Sequence, residues 1–124
     1  MILLFDWWTC NSDRTLTAYG GNPNLLWVAR ERKVIVIDHN LAFEENQMDG
    51  FWHNHIFRED ISEWNSAFRE EMAGLLRGAV RDLPRIWGEL PMEWTEAGCG
   101  LTLAGVTTLL SRFEDNPRIF WQAQ

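Results

Sequence analysis

Lysine is almost missing from this chain: Lys33 is the sole one, and 11 Lys plus Arg stand against 18 Asp plus Glu, for a formal charge of −7. A nucleic-acid binder needs cationic side chains to displace phosphate counterions, so this balance argues against that class. It equally disfavours docking on anionic lipid, and no membrane partner is expected. Cysteine is scarce too. Cys10 and Cys99 have no CxxC spacing and no third metal ligand nearby; they read as reduced, buried thiols of a cytoplasmic protein. No apolar run approaches membrane-spanning length, and the opening MILLFDWW is too short and lacks the cationic lead of a signal peptide. There is no internal repeat, linker or low-complexity tract.

What is abundant is apolar surface. Hydrophobic residues make up 46% of 124 residues, enough for a packed core and suited to a single domain over 1–124. Eight tryptophans are present. Trp7, Trp8, Trp64, Trp87 and Trp121 lie among other apolar residues at helix-like spacing, which reads as core.

Leu3, Leu4, Trp7 and Trp8 fit one face of a helix over 2–10. Residues 11–23, rich in Gly, Pro and small polar residues, read as a loop. Two short apolar runs, at 24–28 and 33–38, are joined by the polar ARERK and read as an antiparallel hairpin. The next segment, HNLAFEENQMDG, is a second loop. From Asp60 to Leu83 apolar residues recur at three and four, with Asp60 or Ser62 as the N-cap and Pro84 expected to end or kink the helix. PRIWGEL reads as a short helix or turn, MEWTEAGCG as a connector, and LTLAGVTTLLSRFED as a helix ending before Pro117. The expected fold is mainly α with one two-stranded β-hairpin.

The chemistry-bearing residues bracket that hairpin. If the strands pair, Asn24 at the start of one and Asp38 at the end of the other share an edge, where an oxygen from each could reach one hard cation. Asp13, on the loop feeding that edge, could accept a proton from an attacking hydroxyl. Phosphoryl transfer asks for these parts: metal to offset phosphate charge and a carboxylate to orient the nucleophile. By spacing alone, however, Asp and Asn beside Gly and Pro are commonly turn formers.

The string NSDRTLTAYGGNPNLLW followed by VIVIDHNLAF resembles the catalytic loop and metal-binding strand of HipA-type kinases, and the corresponding segment of type II phosphatidylinositol 4-kinases. The resemblance is clear over the first third of the chain and extends over the later helices only by general pattern. It implies a kinase-like C-lobe that uses ATP and Mg²⁺, with Asp13 as catalytic base, Asn24 as a metal ligand and Asp38 as the metal-binding aspartate. It also implies that Arg14 neutralises phosphate charge or braces the loop. His39, beside Asp38, either touches a nucleotide phosphate or caps the turn. One departure stands out. Kinases generally place the Asn about five residues after the Asp, whereas Asn24 follows Asp13 by eleven, with TLTAYG inserted. That makes Asn22 a rival ligand, although Asn24 leads directly into the strand.

The resemblance covers no N-lobe. No glycine-rich phosphate cover precedes the site, and Lys33 falls in the expected hairpin turn. The expectation is a catalytic-lobe portion that is inactive without an N-lobe, a protein hydroxyl being favoured as acceptor over an inositol lipid by the acidic charge. Its expected partner is a separate N-lobe or another protein. The contrasting class is a non-catalytic helical interaction module that binds through the face such a lobe would cover. Other patterns carry less. The letters HNH at 53–55 lack the spread of a nuclease site and have no further zinc ligand nearby; WHNHIF reads as packing with a histidine bonded to backbone. Ser12 and Thr15 lack the partnered histidine of a hydrolase nucleophile.

Overall fold

The structure is a computed structural model, and it describes residues 1–96 and 100–121. Cys99 lies outside the described residues. The chain is mainly helical with one two-stranded antiparallel hairpin. Contacts divide it into two compact units, residues 1–61 and 62–121, which are described in turn.

The first unit opens with α1, Ile2–Thr9, which buries Leu3, Leu4 and Trp8 together with a charged residue, Asp6. Cys10 ends the helix in the left-handed conformation and is fully buried. The hairpin follows: β1, Leu25–Val28, pairs with β2, Lys33–Val36, with Leu25 opposite Val36 and Val28 opposite Lys33. Lys33 is therefore a strand residue and not a turn residue, and it sits at the far end of the hairpin from Asn24 and Asp38. A 3-10 turn at Glu45–Gln47 leads to a single helical turn, α2, Phe51–Asn54. Phe51 is buried and its ring packs tilted against Trp7, with centroids 5.6 Å apart, while Trp52 approaches Trp7 at 4.6 Å. A chain this aromatic fills its small core with offset rings, the favoured geometry.

A 3-10 turn at Arg58–Glu63 runs across the boundary, and the second unit then forms α3, Ser66–Gly88. Neither Asp60 nor Ser62 is the cap; the N-cap is Asn65, whose side-chain oxygen accepts from the Phe68 backbone N–H at 3.0 Å. The 3-10 turn uses up the residues that the periodicity assigned to the helix start. Pro84 does not end α3 either, and PRIWG is its last turn. One ring costs the helix a single backbone bond, and the helix runs on to Gly88 around it. The short α4, Met92–Glu96, takes the place of the expected connector. Helices α5 (Leu103–Leu110), α6 (Arg112–Asp115) and α7 (Pro117–Trp121) complete the chain, so the expected last helix is broken at Ser111 and does stop before Pro117. Met72 and Leu76 of α3 are buried, as are Val106, Leu109 and Leu110 of α5, which packs on it. Trp64 and Trp121 meet edge to face at 6.0 Å. Of the tryptophans expected in the core, Trp8, Trp64 and Trp121 are buried and Trp7 and Trp87 are half-buried. No described helix is long and apolar enough to cross a membrane.

The Asn65 cap satisfies a backbone donor that α3 would otherwise leave without an intrahelical partner. Asn65→Ala is expected to cost about 1 kcal/mol of stability, read as a lower urea midpoint followed by far-ultraviolet circular dichroism.

Candidate active site

The site is built on a charge buried where an apolar helix should carry none. Asp6 is fully buried in α1 and every acceptor position of its carboxylate is taken. Oδ2 accepts from Arg14 Nε at 2.7 Å and from His55 Nε2 at 3.0 Å; Oδ1 accepts from Asn11 Nδ2 at 3.0 Å and Arg14 Nη2 at 3.3 Å. The Phe57 backbone N–H donates to His55 Nδ1 at 3.0 Å, which assigns the proton of that ring to Nε2, facing Asp6. Burial opposes the Asp6 charge, but the bonds from His55, Arg14 and Asn11 and the Arg14 charge together hold its carboxyl below the ordinary value. Asn11 Oδ1 is the one buried side-chain polar atom among the described residues that has no hydrogen-bond partner.

Arg14 carries this anchor to the hairpin. Its guanidinium is fully buried, and Nη1 donates to the carbonyl oxygens of Asn24 at 2.6 Å, Pro23 at 3.3 Å and Ile37 at 3.4 Å. These bonds tie the loop at Arg14 to α1 and to the open end of the hairpin. Nη2 also lies 3.4 Å from His39 Nε2; because Arg has no acceptor, the histidine nitrogen accepts. His39 is exposed and sets its ring edge-on to Phe5 at 5.7 Å. The backbone of Arg14 and Leu16 bonds to Ile56 and Asn54, so that Thr15 opposes His55 and the histidine is fixed beneath Asp6.

Asp13, one residue from this brace, is half-buried. Its Oδ2 accepts from Asn24 Nδ2 at 2.9 Å and from the exposed Asn22 Nδ2 at 3.2 Å. The structure thus brings Asp13, Asn22 and Asn24 together despite the long gap. The intervening residues fold back on themselves: Thr15 N–H donates to the Asn22 carbonyl at 2.9 Å, and Thr17 and Gly20 exchange backbone bonds at 2.9 and 3.1 Å. Gly21 is required here, since a Cβ would press into the backbone of Thr15 and lie 2.8 Å from Leu16 Cα.

Asn24 and Asp38 flank the same end of the hairpin, where the Ile37 N–H donates to the Asn24 carbonyl at 3.0 Å. Both adopt the left-handed conformation, at φ 50° and 53°, which side-chain-bearing residues adopt seldom and Asn and Asp most readily. Asn24 is buried and its amide nitrogen is committed to Asp13, leaving Oδ1 as its acceptor. Asp38 is exposed, with Oδ1 receiving a long 3.4 Å bond from Asn40 N–H. An amide oxygen and a carboxylate are hard donors of the kind Mg²⁺ takes, and Mg²⁺ typically binds one or two such groups together with substrate phosphates. Among the described residues no three His, Cys, Asp or Glu side chains gather to hold a metal, so the HNH letters make no such site. His53 is exposed, and His55 belongs to the Asp6 cluster.

The structure thus sets the Asp13 carboxylate against Asn24 at the end of the hairpin from which Asp38 leaves. A family model described as HipA-like kinase matches residues 1–124, and the chain belongs to that family. Comparison with curated proteins and with solved structures finds no match.

Asp6 and Asn11 are not singled out by the sequence, which gives the HNH segment only a packing role and a backbone-bonded histidine; His55 makes that bond, to the Phe57 N–H, in addition to meeting Asp6. The signal was available: an acid inside the run ILLFDWW has no solvated face to occupy and needs a buried partner. Removing one member of a buried ion pair costs about 3–5 kcal/mol, so Asp6→Ala should lower the denaturation midpoint far more than any surface substitution. Because the folded carboxyl titrates below its unfolded value, the contribution of Asp6 is complete above the unfolded pKa of about 3.9 and disappears as pH falls through the folded one. Unfolding free energies measured across the acid range should therefore fall less steeply in Asp6→Asn than in the wild type.

Proposed function

We propose that this chain supplies the catalytic-lobe portion of an ATP- and Mg²⁺-dependent phosphotransferase, with a protein hydroxyl as acceptor. The observation that supports the reading most is the 2.9 Å bond from Asn24 to Asp13 across eleven residues of sequence. The insertion leaves the two groups in direct hydrogen-bond contact. In this reading Asp13 takes the proton from the acceptor hydroxyl, and its two amide donors hold the carboxylate in place while leaving its other oxygen to face the nucleophile. Asn24 Oδ1 and Asp38 would hold Mg²⁺, with Asn22 steering the base in preference to ligating metal. The cation, when bound, offsets charge on the phosphates. His39, exposed at the same edge, is placed to meet a phosphate oxygen, while Arg14 acts from behind as a brace.

Within these residues there is no glycine-rich phosphate cover, and the one lysine is at the wrong end of the hairpin. A separate N-lobe would supply both. The second reading, a non-catalytic interaction module, draws on the exposure of Leu26, Trp27, Val34 and Ile35 along the hairpin, which is surface a partner could cover. A scaffold would have no use for Asp13, Asn24 and Asp38 together, and the catalytic reading is preferred for that reason.

Each missing charge-assisted contact to phosphate is worth about 1.5–3 kcal/mol, or roughly one to two orders of magnitude in affinity. Calorimetric titration of the 124 residues alone with ATP·Mg should give weak binding or none, and no measurable phosphotransfer. Adding a separately expressed N-lobe should restore both, and Asp38→Ala should abolish the gain. Tight binding by the chain alone would overturn the requirement for a second lobe; silence with the lobe present would favour the interaction module.

A further inference from the structure

We infer that the loop 15–22 is the acceptor-recognition element of this site, with Tyr19 contacting an apolar residue beside the phosphorylatable hydroxyl of a peptide segment. The inference rests on the phosphotransfer reading and adds to it the side chain that selects the acceptor.

The loop is the segment that lengthens the interval between Asp13 and Asn24, and both of its ends lie against the candidate base. It leaves from Arg14, and it returns through Asn22, whose amide donates to Asp13 Oδ2 at 3.2 Å. It is a built turn. Besides the paired backbone bonds of Thr17 and Gly20, the Thr17 hydroxyl donates to the Gly20 carbonyl at 2.9 Å and accepts from the Tyr19 N–H at 3.2 Å, and Thr15 Oγ1 accepts from the Asn22 N–H at 3.2 Å. A closed turn loses little conformational freedom on binding.

What this turn holds up is Tyr19, the only tyrosine of the chain, at 102% exposure. A fully exposed ring contributes no burial to folding, whereas a rigid aromatic body with a polar tip gives large contact area at low entropic cost when a partner covers it. Leu16, at the foot of the same loop, is also exposed. An acceptor hydroxyl must come within hydrogen-bond reach of Asp13, and the loop adjoins that carboxylate through Asn22.

The composition of the loop decides between acceptor classes. Residues 15–22, TLTAYGGN, include no charged side chain. The nearest cation bonded to the loop, Arg58, donates to the Leu16 carbonyl at 3.4 Å and is paired with Glu59 at 3.3 Å. A phosphoinositol headgroup calls for unpaired cations and forked donors; an uncharged aromatic tip suits an apolar side chain.

The test uses the whole chain, fluorescently labelled, on an immobilised positional-scanning library of serine- and threonine-containing peptides. The wild type should select apolar residues next to the hydroxyl-bearing position. Tyr19→Ala should weaken binding to the selected pool about tenfold, and Tyr19→Phe should stay within about twofold of wild type, both with an unchanged unfolding midpoint. Failure of the wild type to select any peptide pool, or equal binding by Tyr19→Ala, would overturn the proposal. So would binding to phosphatidylinositol-containing phosphatidylcholine vesicles that weakens in Tyr19→Ala, which would assign the loop to lipid. The array needs no nucleotide, so its failure leaves the ATP·Mg titration untouched, and failure of that titration leaves the array result standing.

Discussion

The buried pair of Asp6 and Arg14 is the constraint on which the geometry of the first unit depends. Arg14 presents two nitrogens to the carboxylate and gives a third to carbonyls on both sides of the hairpin's open end. A two-stranded hairpin alone is marginal in water, and here one guanidinium ties both of its strand ends to α1. Because the carboxylate is also saturated by His55 and Asn11, the pair meets the condition under which buried charge is tolerated: close geometry with the remaining acceptor sites filled.

The candidate chemistry inherits its order from that brace. Asp13 is the residue before Arg14, and Asn24 is held by Arg14 through its carbonyl and by Asp13 through its amide. The candidate base and candidate ligand are thus positioned by adjacent residues, and the segment between them closes on itself through the turn at Thr17 and Gly20. Left-handed backbone at both Asn24 and Asp38 is a local cost that persists only where the surroundings fix it, and here the surroundings are the Arg14 bonds and the Ile37–Asn24 pairing.

The surface of the hairpin contrasts with its anchored end. Leu26 and Trp27 of β1, and Val34 and Ile35 of β2, are exposed although both strands are apolar by composition. Alternation of buried and exposed faces, the usual mark of a half-buried strand, is missing, as an apolar pattern on both faces requires cover that neither strand provides for the other.

How much of this was legible in the sequence follows from the range of each interaction. Local periodicity determined α1, the hairpin and the helical character beyond residue 60, because side-chain spacing within a turn or a strand is all those assignments need. The linear string also determined the family, through an ordered set of residues at 11–43. The cap of α3 at Asn65 and the passage of the helix through Pro84 were decided by neighbouring structure, since several polar residues in 60–65 offered equally good local caps. Above all, nothing in sequence order could say that Asp6 meets His55 across 49 positions, or that Asp13 keeps Asn24 within hydrogen-bond distance over an insertion. Those contacts exist because a buried charge must find its partners wherever the folded chain places them, and only the tertiary structure states where that is.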